Sequence, residues 1–440
     1  MRRHVMPRLL GATAALALPA LVACGDNLAT VPADAAAPPD AGACNAGPAD
    51  RQWNAGGDNQ AAIAVGARGE IYQYGFDHGA IGADNIDPAG DATGYVERLA
   101  GPGWPAWRYE LATSDTDVID ALEVLPDGHL RIAGRSRVAR PDGRPEFELV
   151  LAELDADGRE VWRTRLGLPP SERPRQLASD GDHHVVAGYH DTYTPTNFVV
   201  SWEDPFLVAW SGAGAPSSPT FETFDTPSTD FADGVAIDAA RDEILLASTA
   251  TVNPKGGIIT RYSLAGVKRD AIVIAPGFGA TAAAVRRLPD GDVLIAGSTI
   301  APLGDTPAGG QDVYVARYDA GLATRRWVRQ LGTDDGDFLI DLTVAADGSI
   351  WGVAEALGAL DPATPNRGAS DLLVFGLEPD GAVRAITARG SGGDDRPTRI
   401  AVDACGGVLV AGTTNGDLIG GTPGARARWD AFVVRFAPGA

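Results

Sequence analysis

A short apolar pattern with a turn inside it recurs seven times along this chain after residue 50. Its clearest copy is LPDGDVLIAG at 288–297, and two others are LPDGHLRIAG at 125–134 and CGGVLVAG at 405–412. The turn positions lie 49 to 61 residues apart: Gly69, Gly128, Gly181, Asp242, Gly291, Gly348 and Gly406. Units repeated at this spacing bury their apolar faces against one another, so the repeat predicts one array rather than two or three unrelated domains.

Each unit contains four short strand signals, which we call strands a to d. An Asp-Gly turn joins strand a to strand b, a longer Gly/Pro-rich loop leads to strand c, and strand d follows with a tryptophan in several copies. No helical period separates the strands. Four antiparallel strands per unit predict an all-β, seven-bladed β-propeller. The main alternative is a solenoid, whose open ends would need protecting caps.

The two ends of the repeat indicate that the array closes into a ring. The seventh copy stops at Ala440 after its strand c, while residues 50–58 resemble the strand-d segment that begins at Arg325. We therefore expect residues 51–56 to be the outermost strand of the last blade. This alignment also places Trp53 at the blade position of Trp162 and Trp327, where packing between blades is the expected role of all three.

The first 43 residues predict a targeting segment and a tether. A basic start, an apolar run too short to span a membrane and the box Leu21-Val22-Ala23-Cys24 match a bacterial lipoprotein signal, so 1–23 would be cleaved and Cys24 acylated. An ordinary secretory signal is the alternative. Residues 24–43 are rich in Ala, Pro and Asp and predict a flexible tether. The propeller would then occupy 44–440, with the outer membrane of the cell envelope as its location.

Residues 297–348 and 392–436 resemble the bacterial SBBP-type β-propeller repeat. The resemblance lies in the loop and strand LGDTPAGGQDVYVARYD, the segment WVRQLGTDDGD and the later strand DAFVVRF. Blades three and four, residues 171–277, depart from it most. The family occurs in secreted and lipid-anchored proteins and has no common catalytic set, so the resemblance implies a fold and a location but transfers no active-site residue.

The charge balance restricts the partners. The chain carries 36 basic and 58 acidic residues, a net charge of −22, which repels nucleic acid and anionic lipid headgroups. We expect a monomer that meets the membrane only through its lipid anchor. Its partner would be a protein or glycan at the cell surface. The six histidines are scattered and form no recognisable metal motif.

The loops from strand d to the next strand a are acidic, and in a propeller they surround the central channel on one face. A carboxylate rim there could bind calcium or a cationic ligand, the one cofactor we consider. Aspartate in turns also accepts backbone N–H bonds, and its recurrence in most blades favours that structural role. The candidate rim residues are Asp115, Asp117, Asp230, Asp334, Asp335, Asp337, Asp394 and Asp395.

These features predict a non-catalytic binding or interaction scaffold, and we assign no catalytic residue. The long b-to-c loops share a face with the acidic d-to-a loops, and that face would carry the ligand. One alternative is a polysaccharide lyase or hydrolase that uses carboxylates at the channel mouth. Another is a structural component of the envelope. Finally, Cys44 and Cys405 fall at one edge of the last blade and predict a disulfide that staples the ring.

Overall fold

The computed structural model describes residues 50–437, apart from 55–57, 80–91, 100–104, 114–115, 140–144, 168–171, 194–199, 218, 224–229, 252–255, 275–278, 362, 364 and 421–427. Within these limits the chain forms seven four-stranded antiparallel sheets arranged as the blades of a β-propeller, together with one 3₁₀ turn at Ala239–Arg241. The predicted fold class is confirmed. Within the described ranges no helix is long and apolar enough to cross a membrane.

Blades 1 to 6 each use four consecutive strands. Blade 1 has β2 (Asp58–Val65), β3 (Ile71–Gly79), β4 (Thr93–Leu99) and β5 (Pro105–Leu111). Blade 2 has β6 (Asp117–Val124), β7 (Leu130–Ala139), β8 (Pro145–Leu154) and β9 (Glu160–Leu166). Blade 3 has β10 (Glu172–Asp180), β11 (His183–Tyr193), β12 (Val200–Ser211) and β13 (Thr220–Thr223).

The second half of the ring repeats this order. Blade 4 has β14 (Asp230–Asp238), β15 (Glu243–Ala250), β16 (Gly256–Tyr262) and β17 (Lys268–Ile274). Blade 5 has β18 (Ala284–Arg287), β19 (Val293–Thr299), β20 (Asp312–Tyr318) and β21 (Arg325–Leu331). Blade 6 has β22 (Asp337–Val344), β23 (Ile350–Ala356), β24 (Asp371–Leu377) and β25 (Val383–Arg389).

Blade 7 joins the two ends of the chain. Its strands are β26 (Asp395–Val402), β27 (Val408–Thr414) and β28 (Asp430–Phe436), and the sheet is completed by β1 (Arg51–Trp53) from the N-terminal side. Strand β1 pairs antiparallel with β28, with Arg51 opposite Val433 and Trp53 opposite Ala431. The predicted ring closure is therefore confirmed; β1 ends at Trp53, and residues 55 and 56 of the predicted strand lie outside the described residues.

The register of β1 corrects the predicted alignment of Trp53. Within blade 5, Leu331 lies opposite Val313, the first valine of strand c, and Trp327 lies opposite Arg317. Because Trp53 faces Ala431, the first apolar residue of strand c in blade 7, it occupies the position of Leu331 rather than that of Trp327. Matching one tryptophan to another shifted the alignment by four residues.

The hydrophobic core is divided among the interfaces between blades. Seven apolar clusters each combine residues from two neighbouring blades, including one cluster between blades 7 and 1. Alternate side chains of a strand serve opposite neighbours: Leu409 and Ala411 face blade 1, while Val408 and Val410 face blade 6. Because both faces are covered, the inner strands read as continuous apolar runs rather than as an apolar–polar alternation.

The antiparallel order gives the ring two different faces. The a-to-b and c-to-d turns lie on one side, which we call the tight-turn face; the b-to-c and d-to-a loops lie on the other, the long-loop face. Tight turns need a left-handed residue, and Gly291 and Gly348 supply it with φ of +87° and +83°. In blade 4 the same role falls to Asp242, which caps the 3₁₀ turn with φ of 53°.

Candidate functional site

Three of the predicted rim aspartates lie inside the ring wall rather than on its surface. Asp117, Asp337 and Asp395 each begin a strand a and have at most 1% exposure. The carboxylate of each accepts bonds from the preceding turn. The carboxylate of Asp337 accepts hydrogen bonds from the Thr333 amide at 2.6 Å and from the Thr333 hydroxyl at 2.9 Å. The carboxylate of Asp395 accepts the corresponding bonds from the Ser391 amide at 2.5 Å and from the Ser391 hydroxyl at 3.1 Å.

The backbone at these aspartates joins each blade to the one before it. The amide of Asp337 donates to Gln311 O at 2.7 Å, immediately before strand c of blade 5, and the amide of Asp395 donates to Ser370 O at 2.9 Å. The amide of Asp117 makes the same bond to Ala92 O at 2.9 Å. A side chain that fixes the turn and an amide that reaches the next blade together form a repeated clasp on the long-loop face.

A second set of buried aspartates starts strand c, and the sequence interpretation missed its role. Asp312, Asp371 and Asp430 begin the segments DVYV, DLLV and DAFV. The carboxylate of Asp312 accepts bonds from the amides of Ala308 and Gly309 at 3.0 and 3.1 Å. The repeated Asp before an apolar run was the available signal. By itself this pattern predicts only the beginning of a strand.

Neighbouring carboxylates of the two sets influence each other. Burial raises the pKa of Asp337 to about 6, bonds from Thr333 oppose the shift, and the nearby Asp312 and Asp335 add to it. Burial likewise raises the pKa of Asp395, with Asp371 contributing in the same direction. These are paired acids of the kind that acid–base chemistry uses, but both members are buried.

The remaining rim candidates differ in their surroundings. Asp230 is buried and accepts the Thr251 amide at 3.1 Å. Asp334 and Asp335 are exposed, and Asp334 accepts the Ala359 amide at 2.6 Å. Asp394 is half-buried, and Asp115 lies outside the described residues. Across the described part of the chain, no group of three or more His, Cys, Asp or Glu side chains is arranged to hold a metal ion.

The axial channel is lined by the innermost strands, and a repeated bulge determines what points into it. Six of the seven a strands carry a register shift near their start. In blades 2, 3 and 4 the extra residue at the bulge is Asp120, Arg175 and Asp233. A bulge redirects one side chain out of the regular alternation, so these charges leave the blade interfaces.

The charges in the channel are paired across neighbouring elements. Arg175 bonds Asp233 at 3.1 Å, and Arg286 bonds Asp341 at 3.0 Å. Burial lowers the pKa of Arg175, but the adjacent Asp233 and other acidic groups outweigh it, so the net pKa is raised. The guanidinium group of Arg175 therefore remains charged at any pH the protein meets.

Two bonds cross the channel rather than passing round it. Arg286 of blade 5 donates to the amide oxygen of Gln176 in blade 3 at 3.2 Å, and Arg399 of blade 7 donates to the backbone oxygen of Arg175. Side chains from blades 3, 5, 6 and 7 thus meet in the centre. No motif in the sequence indicated this network, because its members look like ordinary polar residues within apolar strands.

Comparison with known proteins supports the fold and nothing finer. No protein-family model and no curated protein matches the chain. Among solved structures, an outer coat vertex of COPII on membranes has a TM-score of 0.51 at 12% identity, covering 86% of this chain and 84% of that one. Similarity is lower to an arabinobiose-bound Penicillium chrysogenum alpha-L-arabinanase (TM-score 0.43, 13% identity, 71% and 92% covered). A puromycin hydrolase S511A mutant has a TM-score of 0.44 at 14% identity, with 84% and 52% covered.

Proposed function

We propose that this protein is a lipid-anchored, non-catalytic propeller of the bacterial cell envelope that binds a partner on its long-loop face. One observation carries the proposal. The recurring aspartates, which are the best catalytic candidates in the sequence, are buried in clasps between blades, as are their strand-c neighbours. The channel is also crossed by paired charges. The surface that differs most from blade to blade of this rigid ring then lies in the long loops.

The entry point of the chain supports the choice of face. Asp50, just before β1, accepts the Arg435 amide at 2.9 Å close to the end of β28, so the N-terminal segment joins the ring on the tight-turn face. A tether from Cys24 to residue 49 can extend at most about 90 Å. Acylation of Cys24 would therefore attach the anchor to the tight-turn side of the ring and leave the long-loop face free of the tether.

The proposed location of the protein rests on its first residues. The basic start, the short apolar run and the box ending at Cys24 support export and lipidation, and Gly25 in place of an aspartate supports the outer membrane. The resemblance to SBBP-type repeats supports the same location. The net charge of −22 supports a protein or glycan partner rather than nucleic acid, and a monomer attached through lipid alone.

A polysaccharide lyase or hydrolase is the second candidate, and the pair Asp312 and Asp337 favours it. Burial raises the pKa of Asp337 to about 6, a value suited to a general acid. A substrate could reach this pair only if the loops above it opened. Turnover of a polysaccharide that is abolished by Asp337→Asn would favour the enzyme over the scaffold.

The scaffold is tested by blocking one face at a time. Full-length protein in detergent is screened against a glycan array and against envelope proteins, and hits are remeasured with single tryptophan blocks. Thr306→Trp and Asp361→Trp place bulk at exposed long-loop positions, and Val267→Trp does so on the tight-turn face. We expect the first two to weaken binding by about tenfold or more and the third to leave it unchanged. The reverse pattern would refute the assignment of the face.

A further inference from the structure

Three of the six large apolar side chains that stand exposed among the described residues lie together on the long-loop face. Ile300, Phe338 and Leu357 are 61%, 40% and 40% exposed. Of the others, Val161 and Val383 lie on outer strands of blades 2 and 6, and Val267 lies in a tight turn of blade 4. Single exposed apolar residues are ordinary, whereas a group of them at one place marks an interaction surface.

The three side chains belong to one continuous stretch of surface over blades 5 and 6. A methyl group built on Gly336 would lie 3.5 Å from the Phe338 ring and 3.6 Å from Leu357, and the Leu357 amide donates to Gly336 O at 2.9 Å. Ile300 directly follows Thr299, which pairs with Asp312 in the ladder of blade 5. The residue before Asp312 is Gln311, whose backbone oxygen accepts the amide of Asp337 in blade 6. Gln311 also forms a bridge with Gly336, so two strand spacings put Ile300 about 10 Å from the Gly336 backbone, two residues before Phe338.

The border of this apolar patch (Ile300, Phe338 and Leu357) is acidic. Asp334 and Asp335 are exposed and come directly before Gly336, and Asp334 reaches across to the Ala359 amide at 2.6 Å. Glu355 lies opposite Phe338 in the ladder. Two cations lie nearby. Arg396 is placed between Glu355 and Asp394 at 3.9 and 3.6 Å and stacks on a tryptophan, and the exposed Arg367 follows Asn366, which donates to Ala356 O at 3.3 Å. The four carboxylates therefore outnumber the two cations beside the patch.

We propose that this patch binds a polypeptide segment in which an apolar side chain stands next to lysine or arginine, an inference that rests on the scaffold function and gives its partner class. The apolar side chain would cover Phe338 and Leu357, while the cation would pair with Asp334 and Asp335. A neutral glycan offers no cation to these carboxylates, and an acidic glycan is repelled by them. The chemistry thus selects a basic–apolar peptide from the partners considered above.

The probe is a phage-displayed library of random 12-residue peptides, selected on the full-length protein in detergent. We expect enriched peptides to pair an apolar residue with Lys or Arg. Phe338→Ser should weaken a selected peptide by about tenfold or more, and the double change Asp334→Asn with Asp335→Asn should do the same and remove most of the salt dependence. Asparagine at 334 keeps the oxygen that accepts the Ala359 amide, so the loop is retained.

The matched control is Val383→Ser, which removes an apolar side chain on an outer strand that is even more exposed than Phe338, at 54% against 40%. It should leave affinity within about twofold, and thermal melting should show all variants folded. Enrichment of acidic or wholly polar peptides would overturn the inference, as would peptides that bind Phe338→Ser as tightly as the wild type. If Thr306→Trp abolishes binding of a partner while Phe338→Ser leaves its affinity unchanged, this inference is overturned and the proposed function still stands. A partner blocked by Val267→Trp and not by Thr306→Trp would refute the proposed long-loop binding face, and this inference with it.

Discussion

Replacing Asp337 with asparagine should stabilise the protein at neutral pH and remove part of its pH dependence. The side chain is fully buried, and its two acceptor bonds come from one residue, Thr333. Burial raises the pKa of Asp337 from 3.8 to about 6. At about 1.4 kcal/mol per pKa unit, holding this carboxylate ionised costs on the order of 3 kcal/mol. Asparagine can still accept the Thr333 amide and donate to the hydroxyl, but it carries no charge.

The sign follows from the direction of the shift. Because the folded state holds the proton more tightly than the unfolded state, this group favours folding below pH 3.8 and loses that contribution as pH rises through about 6. At pH 7.5 the free energy of unfolding of Asp337→Asn should exceed that of the wild type by roughly 1–3 kcal/mol. At pH 4.5 the difference in unfolding free energy between the variant and the wild type should be about 2 kcal/mol smaller than at pH 7.5. Asp371 and Asp395, whose pKa values are also raised, preserve a weaker dependence in the variant.

Urea unfolding at pH 4.5 and 7.5 measures both effects from the midpoint and slope. Asp337→Ala is the control, since it removes the charge but leaves the Thr333 amide without its acceptor, which costs about 1–3 kcal/mol. The reasoning fails if the asparagine variant is destabilised as much as the alanine variant at pH 7.5. It fails equally if the difference from wild type is the same at both pH values.

The other predictions concern the closure and the anchor. Gln52→Ala and Gln330→Ala remove matching bonds, to Asp430 and to Asp312, and should each cost about 1–3 kcal/mol. Only Gln52→Ala should make the β1 segment sensitive to protease under native conditions, and equal sensitivity would contradict its role in closure. Cys24→Ala should abolish acylation and release the protein from the membrane fraction; a variant that still fractionates with the membrane would refute the lipoprotein assignment. Non-reducing peptide mapping of envelope-purified protein should recover Cys44 linked to Cys405, and finding both thiols free would reject the staple.

The blades and their closure could be predicted because they depend on patterns repeated in the chain. Apolar runs separated by tight turns, four of them Asp-Gly, predict strands a and b in every unit, and residues 50–58 match the strand d that the seventh copy lacks. Even the departure at Asp242 was recognisable, since a short polar residue tolerates the left-handed turn conformation that glycine usually supplies.

What could not be predicted depends on single-residue register. One extra residue in the a strand of blades 2, 3 and 4 places Asp120, Arg175 and Asp233 in the channel, and an apolar–polar pattern does not reveal such a bulge. The same limit explains Trp53, whose position follows from the pairing of β1 and not from residue type. Cys44 lies outside the described residues, so its pairing with Cys405, in the turn between β26 and β27, stays a prediction.

The three-residue strand β1 also determines how the proposed anchor would carry mechanical load. The chain enters on the tight-turn face, and a partner held on the long-loop face would pull from the opposite side. Force between them would run along β1, loading its bonds to β28 in parallel, as shear, rather than peeling them one at a time. Side chains share this load, because Gln52 and Asn54 both hold Asp430, at 2.9 and 2.7 Å. A disulfide between Cys44 and Cys405 would carry the force from the tether directly to the turn between β26 and β27, so that β1 would bear little of it.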